Sequence, residues 1–96
     1  MRRHYLVSYD IRDAKRLRRV FRVLKGYGEH WQYSVFFCRL KEIDRVRLQD
    51  DLEVEVNQSE DQVILIDLGA NESTAREAIE VIGQRLPPHE ENVVVI

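Results

Sequence analysis

The segment His4-Tyr5-Leu6-Val7-Ser8-Tyr9-Asp10 is a strand-like run that ends on a carboxylate. A cationic stretch follows at once: Arg12, Lys15, Arg16, Arg18, Arg19, Arg22 and Lys25. A carboxylate is a hard oxygen ligand of the kind magnesium takes, one or two at a time, with waters and substrate phosphates completing the shell. Arginines grip phosphates through two parallel N–H donors. Together they suit the handling of a phosphodiester and a divalent ion. A plainer reading stands beside this one. Asp10 also suits a turn or helix cap, and the cationic stretch also suits a solvated helix face. One acid per chain is a sparse metal site, but a symmetric dimer would bring two copies together. A metal held there would stabilise phosphoryl charge and lower the pKa of a bound water.

Other chemistries find no support. There is no Gly-x-Ser-x-Gly, no Cys-x-x-Cys and no glycine-rich phosphate loop, and His4, His30 and His89 lie far apart. The lone Cys38 supports no internal disulfide and reads as a small strand residue. Ser34 has no adjacent base and reads as a turn or strand hydroxyl, or a phosphate contact. Trp31, Tyr33 and Phe36 read as core side chains rather than a base-stacking platform.

The 96 residues make one domain, with 44% hydrophobic and 33% charged residues. A chain this short exposes much of its surface, so a dimer would help it. The net charge of −2 hides an asymmetry: residues 1–47 carry 13 of the 15 Lys and Arg, and residues 48–96 carry 12 of the 17 Asp and Glu. That pattern predicts a basic face for a polyanion and an acidic face elsewhere. No apolar run reaches the ~20 residues that span a bilayer, and the N-terminal apolar stretch is too short for a signal peptide. A cytoplasmic location is therefore expected, with no membrane partner.

The elements that would position these residues follow from periodicity. Residues 4–9 predict a central strand, apolar on both faces. Asp13 offers an N-cap, and Leu17, Val20, Phe21 and Leu24 form one helical stripe over 14–25. Gly26-Tyr27-Gly28 then ends the helix, with a glycine suited to a left-handed cap. His30 to Leu40 is rich in aromatic and β-branched residues, and is long enough to bend near Tyr33-Ser34 into two short strands. Residues 41–56 predict a helix on Leu48, Leu52 and Val56, with Ile43 and Val46 fitting the stripe poorly. Val63-Ile64-Leu65-Ile66 reads as a buried strand closed by Leu68-Gly69. Residues 73–82 suit a helix capped by Ser73, although 79–83 also alternate like a strand. Val93-Val94-Val95-Ile96 reads as a strand seeking another subunit's edge. The plan is α+β and ferredoxin-like, β-α-β-β-α-β with an extra C-terminal strand. Its uncovered sheet face predicts a face-to-face homodimer.

Four segments give a more specific signal: Ser8-Tyr9-Asp10-Ile11, Arg16-Leu17-Arg18-Arg19-Val20, Gly26-Tyr27-Gly28 and Gln32-Tyr33-Ser34-Val35-Phe36. With Leu68-Gly69-Ala70-Asn71 and Ile79-Glu80-Val81-Ile82-Gly83, this pattern resembles the CRISPR-associated protein two family. The resemblance implies a homodimer with Asp10 as the metal-binding, catalytic acid and magnesium or another divalent cation as cofactor. It implies that Tyr9, Arg16, Arg18, Arg19, Gln32, Ser34 and Phe36 surround or support that site. It further implies an endonuclease acting on single-stranded RNA or double-stranded DNA, and a bridge between integrase subunits of the CRISPR-associated protein one family. Two alternatives stand beside it: a non-catalytic clamp for duplex DNA within the integration complex, and a toxin-like ribonuclease of the same fold. The chain departs from the family pattern at Phe37, where Glu is common, at Trp31, where a smaller β-branched residue is usual, and at Lys41, which replaces the usual Asp or Thr cap.

Overall fold

The computed structural model describes residues 1–85. Its elements run β1 (Arg2–Asp10), α1 (Ala14–Lys25), β2 (Gly28–Gln32), β3 (Val35–Lys41), α2 (Glu42–Glu55), β4 (Gln62–Gly69) and a short α3 (Glu72–Glu77). The four strands form one antiparallel sheet in the order β2-β3-β1-β4. This is the expected ferredoxin-like arrangement, with β1 and β3 central.

Alternation along β1 sorts its side chains between two faces. Tyr5, Val7 and Tyr9 turn toward α1 and α2, where they join Phe36, Cys38 and Leu40 of β3. The helices supply Val20, Leu24, Leu48 and Leu52, all buried. Leu6, Ser8 and Asp10 turn the other way. On that second face Leu6 pairs across the sheet with Phe37 and Ile66, and Ser8 pairs with Val35 and Ile64. Among the described residues, only part of this face is covered. There His4 and Phe37 are buried, Trp31 stacks on Phe37 with ring centroids 4.4 Å apart, and the Arg76 guanidinium of α3 lies 5.1 Å from the Phe37 ring. Two of the departures from the family pattern, Trp31 and Phe37, are thus partners in one stack.

Several expectations need correcting. The apolar run of β4 is not buried on both sides: Ile64 and Ile66 remain 46% and 44% exposed, because β4 is an edge strand on the half-open face. Tyr33 is not core; it is 79% exposed at the β2–β3 turn. The first helix ends on Gly26 in right-handed geometry, with φ −78, so no left-handed cap is needed. The described glycines at positive φ are Gly83, at φ 105, and Gly69, at φ 95, where the β1–β4 register shifts between His4 and Tyr5. The third helix spans 72–77 rather than 73–82. Its cap is Asn71, whose side chain accepts from Thr74 N–H, and not Ser73. Residues 79–83 do not pair as a strand. Lys41 precedes α2 without a side-chain cap bond, and Ile43 and Val46 are exposed, as their poor fit to the stripe implied. The expected C-terminal strand at 92–96 lies outside the described residues.

Candidate active site and nucleic-acid interface

Asp10 is the last residue of β1, opposite Gln62 of β4 on the half-open face. Its side chain is 65% exposed. The nearest cation is Arg12, with Nη2 3.5 Å from the carboxylate. That separation exceeds a charge-assisted hydrogen bond, so the oxygens stay open to another cation. Among the described residues, no three His, Cys, Asp or Glu side chains cluster as metal ligands. The donor set of one chain therefore fits half of a shared site, completed by a second acid or by substrate phosphates.

The end of β1 is held in place by its neighbour. Tyr9 N–H donates to the Ser34 carbonyl at 3.1 Å, and the Tyr9 hydroxyl donates to the Tyr33 carbonyl at 3.0 Å. Burial pushes the Tyr9 phenol pKa upward, so the hydroxyl stays a donor at neutral pH. Beneath it lies Phe36, fully buried, with ring centroids 6.3 Å apart. Tyr9, Ser34 and Phe36 are thus gathered at the strand end that carries Asp10. Gln32 closes β2 at the same turn, paired with Val35 and exposed.

The three arginines singled out in α1 part company. Arg16 is committed inward: Nε donates to Asp61 Oδ2 at 2.7 Å, and Nη2 donates to Asp61 Oδ1 at 3.2 Å and to Glu60 Oε1 at 3.0 Å. The Asp61 side chain is fully buried and also accepts from the backbone N–H of Arg12 and of Asn57. The Arg16 hydrogen bonds, helped by these two N–H donors, hold the Asp61 carboxyl well below the usual carboxylate range. The pair ties the loop after Asp10 to the start of β4, so Arg16 supports the site from behind. Arg19 bonds Glu55 of α2 at 2.9 Å. Arg18 makes no ion pair among the described residues, nor do Lys15, Arg22 and Lys25. These four are the cations of α1 open to a polyanion. Asp61 was missed in the sequence because an acid in an Asn-Gln-Ser-Glu-Asp turn looks like any loop residue; its partner lies 45 positions away.

A model of the CRISPR associated protein Cas2 family matches residues 3–76. The chain belongs to the Cas2 family. It is 39% identical over 92 residues to a protein of Rhodospirillum rubrum named CRISPR-associated endoribonuclease Cas2 1, covering 96% of this chain and 89% of that one. Among solved structures it resembles Cas2 of Streptococcus pyogenes, with a TM-score of 0.71 and 25% identity over 83% of this chain and 99% of that one. It also resembles a chain of a partial Cas6-RT-Cas1–Cas2 complex, with a TM-score of 0.65 and 29% identity over 82% of this chain and 90% of that one. No helix among the described residues is long and apolar enough to cross a membrane.

Proposed function

We propose that this Cas2 protein is a dimeric, metal-dependent endonuclease of CRISPR adaptation that binds nucleic acid through α1 and docks integrase subunits. The observation that carries the reading is the position of Asp10: an open carboxylate at the rim of a sheet face where Ile64 and Ile66 are left exposed. An apolar sheet face of this kind is stabilised by covering it. A second copy placed face to face would bury those isoleucines and set two Asp10 carboxylates at one interface. Asp10 of each subunit would then hold magnesium, with substrate phosphate oxygens and waters as the other ligands. Bound there, the ion would neutralise developing phosphoryl charge and acidify a water. The protein's own part is positional. Tyr9 fixes the strand end, Arg16 on Asp61 fixes the loop behind it, and the unpaired cations of α1 bind flanking phosphates. The name of the Rhodospirillum rubrum relative supports RNA as a substrate; duplex DNA is the second candidate. The likeness to a chain of a Cas1–Cas2 complex supports the integrase as partner. A cytoplasmic location belongs to the same reading.

The test is cleavage of RNA and of duplex DNA, with magnesium or with chelator, by wild type and by Asp10→Ala. Turnover is expected only for the wild type with metal, while both proteins keep the same oligomeric mass. Equal hydrolysis by the purified variant would sink the catalytic role. A second reading, a non-catalytic DNA clamp, is favoured by the sparse donor set: among the described residues Asp10 belongs to no group of three or more His, Cys, Asp or Glu side chains that could hold a metal. It expects DNA and integrase binding without metal-dependent turnover, and no effect of Asp10→Ala on spacer acquisition.

A further inference from the structure

On the opposite sheet face from Asp10, a cleft of about 490 Å³ opens between α1 and the β2–β3 turn. Its volume lies within the roughly 300–1,000 Å³ range of small-molecule sites. The walls are aromatic: Tyr9, Phe21, His30 and Tyr33. Phe21 and His30 meet edge to face, with centroids 5.0 Å apart and planes at 85°. Both pack on buried Phe36, at 5.4 and 5.0 Å, which makes the floor rigid. The Tyr9 hydroxyl is already bonded to the Tyr33 carbonyl. Tyr33 itself stands at the mouth and is free to lie against whatever enters.

The rim is of a different kind. Arg18, Arg22 and Lys25 line it from α1, and none of them makes an ion pair among the described residues. Lys25 Nζ lies 5.9 Å from the Phe21 centroid, over the aromatic wall. Among the described residues, no acid lines the cleft. An apolar aromatic cavity with a wholly cationic, unneutralised mouth is the complement of a flat aromatic ring that carries negative charge on a flexible arm. A nucleotide has that composition: a base to stack on the rings and a phosphate for the rim.

We propose that this cleft receives an unpaired terminal base of a bound nucleic-acid strand, with its phosphates on Arg18, Arg22 and Lys25. The proposal rests on the nucleic-acid reading of α1 and adds a preference: strands with single-stranded ends over blunt duplexes. A duplex end cannot offer its base, which is held in the stack. A single-stranded end offers it without loss of pairing.

The experiment compares a blunt duplex with the same duplex extended by a short single-stranded end, its last base replaced by a fluorescent adenine analogue. Anisotropy reads affinity for both, and analogue emission reads stacking. The wild type is expected to bind the extended duplex about tenfold tighter, the scale of one stacked base, with altered emission. Tyr33→Ala, an exposed position that threatens no core contact, should erase that preference and leave blunt-duplex affinity unchanged. Tyr33→Trp should keep it. Equal wild-type affinity for the two duplexes, or a preference that survives Tyr33→Ala, overturns the cleft while sparing the nucleic-acid reading. Failure to bind either duplex overturns both.

Discussion

The arginines of α1 are neighbours in sequence but not equals in structure, and salt dependence separates them. Each phosphate neutralised on duplex DNA steepens the fall of log K with log salt by about 0.9. Arg18 and Arg22 have no acidic partner among the described residues, so their charges are available to phosphate. Replacing both with glutamine should flatten the slope by about 1.8 for each protomer that touches the duplex. Across a rise from about 50 to about 200 mM salt, that variant should therefore lose about tenfold less affinity than the wild type. Arg16→Gln should behave differently. Its guanidinium is bonded to the buried Asp61 and to Glu60, so it has little charge to give a phosphate. Its removal leaves a buried carboxylate without its partner, which is costly to the fold. The slope should stay near the wild-type value while the melting temperature falls. Half-exposed Arg19, bonded to Glu55, should lie between, since a pair open to solvent on one side separates at small cost. The assay is fluorescence anisotropy on a labelled duplex over the salt series, with thermal melts of each variant. An unchanged slope for Arg18→Gln/Arg22→Gln would refute this division of labour. So would an Arg16→Gln variant that melts normally yet flattens the slope as much.

Other expectations concern the scaffold. Gly28→Ala should destabilise by about 1–3 kcal/mol in denaturant unfolding, because a Cβ there would stand 2.6 Å from the Phe37 carbonyl oxygen and press on Cys38 Sγ; wild-type stability would remove that steric argument. The Tyr27 hydroxyl donates to Asp51 at 2.7 Å, and this bond, with some burial, pushes its pKa up to about 12. A folded pKa above the unfolded value of about 10 means the bond's stabilisation is complete below pH ~10 and fades as pH rises toward ~12. The stability gap between wild type and Tyr27→Phe should close over that window, and a gap that persists beyond it would contradict the assignment. Cys38 is buried, and its thiol is pushed up to about 12 by that burial, with a smaller push from Glu29. It should resist an aromatic disulfide reagent in the native protein and react fully once unfolded; fast native labelling would show that β3 opens locally.

Much of the fold was legible because local periodicity and tertiary demand agree. The Leu17, Val20, Phe21 and Leu24 stripe buries the side of α1 that the pattern names, and Asp13 accepts from Arg16 N–H as an N-cap should. The break at Tyr33-Ser34 was visible as a strand region too long to run straight. Burial was harder to read. The run Val63 to Ile66 looks fully buried because apolarity does not reveal whether a strand is central or at an edge, or whether its second face is covered. Trp31 and Phe37 each departed from the family pattern, and nothing local said that they stack on one another beneath Arg76.

By itself the sequence determined the order of elements, the ferredoxin-like plan, and Asp10 at a strand end before a cationic helix. Those features rest on spacing within one element, where side-chain direction follows from backbone geometry. The tertiary structure decided which charges are spent and which remain. Asp61 takes Arg16 and Glu55 takes Arg19, across separations that no local pattern encodes, leaving Lys15, Arg18, Arg22 and Lys25 open to an anion. It also placed Asp10 on the half-open face and the aromatic cleft on the other. The physical reason is that an ion pair or a cavity wall is made by residues the chain brings together only when the sheet has closed and the helices have packed.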